Sequence, residues 1–287
     1  MAIVLPDGHP HRSLAVQGDG SRRVRIGIIN IMPRVEAYEP SLLAPLAVLP
    51  VRVEPVFVRL ESHGYQSSDH AHLDRFYRSF DAVTSEAPLD GLLLTGAPVE
   101  EIAFDDVHYW RELSAILSHA KKTVRSTLGL CWGALALAKV LGIEKRLFSK
   151  KLFGVFEDRV LSPLGHDVLG GAGGSFLCAH SRHSGLLPDE LGQAAECGVV
   201  RVLSRGEQTG VSMFETPDLR FLGHLGHPEY EGERLAFEWN RDRELGRTDV
   251  DPPANFDADS PRTTWRSHRE AVFAGFVARA SSSITSA

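Results

Sequence analysis

The sequence predicts an α/β protein with a mostly parallel sheet flanked by helices. Runs rich in Val, Ile and Leu alternate with helix-spaced stretches through the first half of the chain, the pattern of strand–helix–strand units. The 287 residues are 43% hydrophobic and 24% charged, enough to bury one large core. No repeat or low-complexity tract breaks the pattern. One domain is therefore expected over residues 23–287, after a loose arm at 1–22 rich in Gly, Pro and His.

The elements follow in order. RVRIGIINIMP (Arg23–Pro33) is a β-branched run stopped by proline and gives the first buried strand. SLLAPLAVL (Ser41–Leu49) has helical spacing, with Pro45 marking a helix start or a kink. VRVEPVFVRL (Val51–Leu60) alternates as a second strand, and a polar segment with several His and Asp follows it. DGLLLTGAP (Asp90–Pro98) is a third strand ending in a turn, and VHYWRELSAILSHAKK (Val107–Lys122) an amphipathic helix. TVRSTLGLC (Thr123–Cys131) is a fourth strand, followed by a helix closed by Gly142.

From Lys150 to Arg205 the pattern changes to short β-like runs with Gly-rich breaks, notably GGAGGS (Gly170–Ser175). That stretch is no dinucleotide fingerprint, because it does not join a strand to a helix. VSMFET and LRFLGHLGHPEY read as a late hairpin running into a turn at His227-Pro228-Glu229. ERLAFEWNRDREL and WRSHREAVFAGFVARA are closing helices. The stripe Trp265, Phe273 and Phe276 in the last of them reads as core or dimer surface.

Composition excludes several classes. A formal net charge of −6 leaves no footprint for nucleic acid and no polybasic face for anionic lipid. No apolar stretch approaches the roughly 20 residues that span a bilayer, and no signal peptide opens the chain. Cys131, Cys178 and Cys197 are too few and too scattered for a disulfide framework or a CxxC metal site. The expectation is a soluble, cytoplasmic protein.

Chemistry concentrates at Gly129-Leu130-Cys131-Trp132-Gly133. A buried cysteine is ordinarily a small hydrophobe. Here it stands between a strand and a helix, with flanking glycines that permit a strained turn, as in a nucleophile elbow. A helix N-terminus favours the thiolate, and its N–H groups can hold an oxyanion. A thiol nucleophile also needs a base and a group to orient that base. His227 and Glu229 supply both if the segment between them is extended.

Five stretches, GLCWGALA, GHPEY, TGAPVEEIAFDDVHYW, KLFGVF and AHSRHSG, occur in collinear order. Together they resemble the homoserine O-acyltransferases of methionine biosynthesis, the homoserine O-succinyltransferase/O-acetyltransferase enzymes. The resemblance runs from about Arg23 to TTWRSH near the C-terminus. It implies a class I glutamine amidotransferase-like (flavodoxin-like) fold with a C-terminal helical extension. It also implies ping-pong transfer, in which Cys131 takes an acyl group from an acyl-CoA and His227, backed by Glu229, activates the acceptor hydroxyl.

The same resemblance assigns the backbone of Trp132 and Gly96 to the oxyanion hole, and Lys151, Ser181 and Arg241 to substrate binding. Arg241 would hold the acceptor's carboxylate through its bidentate fork. Glu100 falls where acyl-donor selectivity is set. A carboxylate there repels the succinyl carboxylate, which points to acetyl-CoA as co-substrate, with no other cofactor. The implied acceptor is L-homoserine, and the implied assembly a homodimer.

Three departures from the family pattern stand out: Leu135 replaces an expected Gln, Gly129 stands where His is frequent, and Arg34–Pro40 replaces a segment that usually carries Thr-Glu and Gln. They leave L-serine open as acceptor. Succinyl transfer, glutamine amide hydrolysis and a redox-sensing or binding role on a retained scaffold are the remaining alternatives. Taken alone, Lys151 reads as a solvated lysine, Ser181 as a turn residue, and Arg241 as a partner of Glu238 or Asp242. His180 and His183 have the spacing of a metal pair but no third ligand in sequence, so no metal is expected.

Overall fold

The computed structural model describes residues 3–15, 23–161 and 174–282. Its elements run β1 (Val24–Ile29), α1 (Val35–Ala47), β2 (Val53–Arg59), α2 (His70–Phe76), β3 (Arg78–Ser79) and α3 (Phe80–Glu86). They continue with β4 (Gly91–Leu94), α4 (Trp110–Thr123), β5 (Ser126–Leu130), α5 (Trp132–Val140), β6 (Lys145–Val160) and β7 (Ser175–Leu186). Last come α6 (Pro188–Glu196), β8 (Arg201–Gly206), β9 (Gly210–Glu215), β10 (Phe221–His224), α7 (Gly232–Glu244) and α8 (Arg266–Ser281).

The strands form one sheet in the order β3-β2-β1-β4-β5-β10-β9-β8-β6-β7. From β3 to β10 every neighbouring pair is parallel. From β10 to β7 every pair is antiparallel. All residues of β1, β4, β5 and β10 are buried, as expected of strands covered on both faces. Alternate residues feed two cores: Ile26, Ile28 and Leu128 pack with α1 and α8, and Ile29, Leu92 and Leu94 with α4 and α5.

Several elements differ from the sequence expectation. α1 starts at Val35, ahead of Ser41, and carries both Pro40 and Pro45 inside it. Each proline forfeits a helical hydrogen bond, and burial of Val35, Tyr38, Leu42, Leu43 and Leu46 outweighs the loss. The polar segment after β2 contains α2 and α3, capped by the Asp69 and Ser79 side chains. In place of short runs after Lys150 stands a long β6–β7 pair, and α6 follows it. Residues 170–173 of GGAGGS lie outside the described residues.

Residues 3–15 of the expected loose arm pack against the domain: Ile3 bridges to Val53, and Ile3 and His9 are buried. Residues 16–22 lie outside the described residues. Trp265, Phe273 and Phe276 are core, because α8 folds back onto the sheet. Among the described residues no helix is long and apolar enough to cross a membrane.

Candidate active site

The parallel strands end on one side of the sheet, where α/β proteins gather their reactive groups. Cys131 follows β5 directly and takes φ 50°, ψ −113°, a conformation an L-residue holds only when its surroundings impose it. Its N–H donates to the His224 carbonyl at 2.8 Å. The flanking glycines do not absorb the strained turn as expected: neither has positive φ. They provide space instead. A Cβ on Gly129 would lie 2.6 Å from the Gly133 backbone, and one on Gly133 2.6 Å from the Leu94 carbonyl. Trp132 opens α5, so its N–H has no intrahelical partner.

β10 delivers His227. The segment to Glu229 is a turn rather than extended chain, and it still brings His227 Nδ1 to 2.8 Å from Glu229 Oε1. Tyr38 on α1 donates to that same oxygen at 2.6 Å. The Tyr230 ring stacks on the imidazole, with centroids 4.0 Å apart, and the His227 N–H donates to the Ala179 carbonyl at 2.7 Å. Gly96 closes the group, since a Cβ there would be 3.4 Å from both Cys131 Cβ and His227 Cε1.

Burial opposes a charge on His227, but Cys131 and Glu229 outweigh it through charge and hydrogen bonding, and the imidazole pKa is raised well above its ordinary value. Burial raises the Cys131 thiol, Glu100 adds to the rise, and His227 and Arg182 oppose it.

These groups open into a cleft of about 250 Å³. Its lining includes the four side chains that the family resemblance assigns to substrate binding and donor selectivity: Glu100, Lys151, Ser181 and Arg241. Glu100 accepts from the His183 N–H at 2.6 Å, and burial pushes its pKa up to about 6 against the pull of that bond and of His227. Lys151 is no solvated lysine. It is buried, with Nζ 2.7 Å from Asp242 Oδ2 and 3.7 Å from Glu238 Oε2.

Ser181 donates to Glu238. Burial works to raise the Glu238 pKa, yet Lys151 and Arg234 bring it down to about 2. Arg241 is exposed at the rim, its guanidinium held on Asp242. Tyr38, Tyr230 and Arg234 are not among the residues read from the sequence as site residues, and Glu238 and Asp242 are read there only as ion-pair partners of Arg241. Only Tyr230, inside GHPEY, carried a local signal.

His180 and His183 are not a pair. His180 lies 3.4 Å from buried Asp158, while His183 stands at the cleft rim, 3.1 Å from Asp249. Between them Arg182 is buried and donates to the Ser184 and Thr209 carbonyls at 2.8 and 2.7 Å.

The strand order and the cysteine elbow give the chain a class I glutamine amidotransferase-like fold. The chain is similar in fold to a glutamine amidotransferase from Thermotoga maritima, with TM-score 0.51 and 14% identity over 91% of this chain and 96% of that one. It is also similar to a glutamine amido transferase from Methylobacillus flagellatus, with TM-score 0.55 and 16% identity over 90% and 96%.

Within that class the family is specific. The model of the homoserine O-succinyltransferase family matches residues 11–285, and the chain belongs to that family. Relatives named homoserine O-acetyltransferase include one from Petrotoga mobilis, 39% identical over 88% of this chain and 82% of its own. Another, from Clostridium botulinum, is 36% identical over 89% and 84%.

Proposed function

We propose that the protein is a homoserine O-acetyltransferase of methionine biosynthesis, moving acetyl from acetyl-CoA to the side-chain hydroxyl of L-homoserine through a thioester on Cys131. The observation that carries this reading is the strained Cys131 beside a His227 held by Glu229, in a chain of this family.

In the first half-reaction the Cys131 sulfur attacks the acetyl-CoA carbonyl and its proton passes to His227. The carbon–sulfur bond to CoA breaks, and the CoA thiolate takes that proton. The N–H groups of Trp132 and Gly96 stabilise the tetrahedral oxyanion. In the second half, His227 removes the homoserine hydroxyl proton, the oxygen attacks the Cys131 thioester, and the Cys131 thiol is restored. Glu229 and Tyr38 hold the imidazole tautomer that can accept at Nε2.

Glu100 supports acetyl as the acyl group, because a second carboxylate entering this half-buried corner meets a like charge. Arg241 at the rim supports an acceptor with a carboxylate, and Lys151, Ser181 and Glu238 hold the wall beside it.

Intact-mass spectrometry tests the proposal directly. The protein is mixed separately with acetyl-CoA and succinyl-CoA, then chased with homoserine or serine. An acetyl adduct on Cys131 that homoserine discharges is expected. Discharge by serine alone would keep the chemistry and change the acceptor, and no adduct from either donor would overturn the mechanism.

A further inference from the structure

The HPH stretch of the N-terminal segment has no part in the chemistry above, yet it leads into the polar heart of a second cluster. His9 from this segment, Glu39 on α1 and His72 on α2 converge, all three buried. His9 Nε2 and Glu39 Oε2 have no hydrogen-bond partner, although each side chain is nine-tenths or more buried. Two unsatisfied polar atoms facing each other in an apolar shell carry a desolvation cost that something must offset.

Their spacing says what. His9 Nε2 and His11 Nε2 lie 3.4 and 3.5 Å from the same Glu39 oxygen. A direct hydrogen bond would be shorter, as it is between His72 Nε2 and Glu39 Oε1 at 2.7 Å. Metal–ligand bonds of about 2.0–2.1 Å at tetrahedral angles give ligand separations of about 3.3–3.4 Å. The three imidazoles and one carboxylate are a donor set suited to Zn²⁺ and similar divalent transition ions.

Outer partners are present too. Tyr77 OH donates to Glu39 Oε1 at 2.9 Å and orients the carboxylate. The His9 ring stacks on Phe57 at 5.2 Å. Binding has local costs. The 3.3 Å contact from the His11 N–H to His9 Nδ1 must be given up, so that Nδ1 carries the proton and Nε2 is free. The metal must also replace the 2.7 Å bond between His72 Nε2 and Glu39 Oε1 and the 3.3 Å contact of His11 Nε2 with the Glu36 carbonyl.

Among the described residues the other two candidate groups are weaker. Arg247 stands inside the Glu101–His183–Asp249 group. The Cys178–His224–His268 group contains no carboxylate to balance the ion's charge, and its two imidazole Nε2 atoms bond each other at 2.8 Å.

We propose that His9, His72 and Glu39, with His11 on the solvent side, form a structural site for a divalent transition-metal ion. It fastens the N-terminal segment to α1 and α2. Tyr38, the neighbour of Glu39 on α1, is the residue that holds Glu229, so the fastening lies one residue from the support of the candidate active site.

The test uses the full chain, stripped with a chelator, reloaded with Zn²⁺ or Co²⁺ and desalted. One retained equivalent is expected, with the intense visible absorption of tetrahedral Co²⁺. His9→Leu and His72→Leu should each lower retained metal at least tenfold, and Cys131→Ser should keep it. Should a variant fail to fold, wild-type melting decides: Zn²⁺ should raise Tm by several degrees over the chelated protein and protect residues 3–15 from proteolysis. Wild-type protein that retains no metal, or variants that retain as much as wild type, would overturn the proposal.

Discussion

The two halves of the sheet contribute different things to the cleft. The parallel half supplies the groups assigned to the reaction: Cys131 at the end of β5 and His227 just after β10, with Gly96 after β4. These strands are short, fully buried and covered on both faces. The antiparallel wing supplies Lys151 on β6 and Ser181 on β7, which meet Glu238 and Asp242 of α7. The groups proposed to react are thus mounted where the backbone is held from both sides, and those proposed to recognise substrate where longer strands and a helix meet. Fixed backbone suits chemistry that tolerates little misplacement.

The comparison breaks first at the elbow. Cys131→Ala should lower turnover by about 10³-fold or more and abolish the acyl adduct, whereas a change in the wing should leave acylation intact. Glu229→Gln should cost about 10²–10⁴-fold, because the amide presents the wrong face to Nδ1–H. Tyr38→Phe removes one neutral donor to the same oxygen and should cost only about 1 kcal/mol, or several-fold in rate. Steady-state kinetics on the three variants orders these effects, and an unchanged rate in Cys131→Ala would remove the cysteine from the mechanism.

The sequence displayed one half of this arrangement better than the other. Most parallel strands are apolar or alternating runs ended by turns, so their positions and the Cys131 elbow could be read directly, whereas the two-residue β3 carried no such pattern. The His227–Glu229 pair was legible from spacing, though the chain turns there. α2 and α3 were not, because each has seven residues, too few for a helical period to emerge. α1 was misplaced because two prolines outvoted its buried face.

The wing's ion pairs stayed hidden for another reason. Lys151 and Asp242 are 91 positions apart, and nothing local in either tells that they meet. Tyr38 reaches Glu229 over 191 positions, from a segment that departs from the family pattern.

On the wing, Lys151→Met should leave acetylation of Cys131 near wild type and raise KM for the amino-acid acceptor about tenfold or more. Removing the ammonium leaves Asp242 and Glu238 buried without their shared cation, which should also lower Tm. Acylation measured by mass in a single turnover separates the two half-reactions. Equal damage to both would mean that the wing also supports the elbow.

Gly129→Ala tests the elbow through space rather than chemistry. Its Cβ would fall 2.6 Å from the Gly133 backbone, and neither segment can yield without moving α5 against β5. A loss of about 1–3 kcal/mol in stability is expected, measured by denaturant unfolding. An unchanged midpoint would show that the elbow has room that the distances deny.

Glu100 joins the two halves, since it follows the β4 turn and accepts from β7. Its pKa of about 6 gives the most selective effect. Above that pH the carboxylate is charged and should disfavour succinyl-CoA relative to acetyl-CoA; below it the carboxyl is neutral and the preference should narrow. The ratio of single-turnover acylation rates for the two donors isolates this titration, because Cys131 and His227 act on both donors alike. In wild type the acetyl-to-succinyl ratio should fall as pH drops through about 6. In Glu100→Gln, where charge is gone and size is kept, it should be low and flat, about tenfold below wild type at neutral pH. A ratio that still varies with pH in Glu100→Gln would place donor selectivity on another group of the cleft. A flat but high ratio would assign it to shape rather than charge.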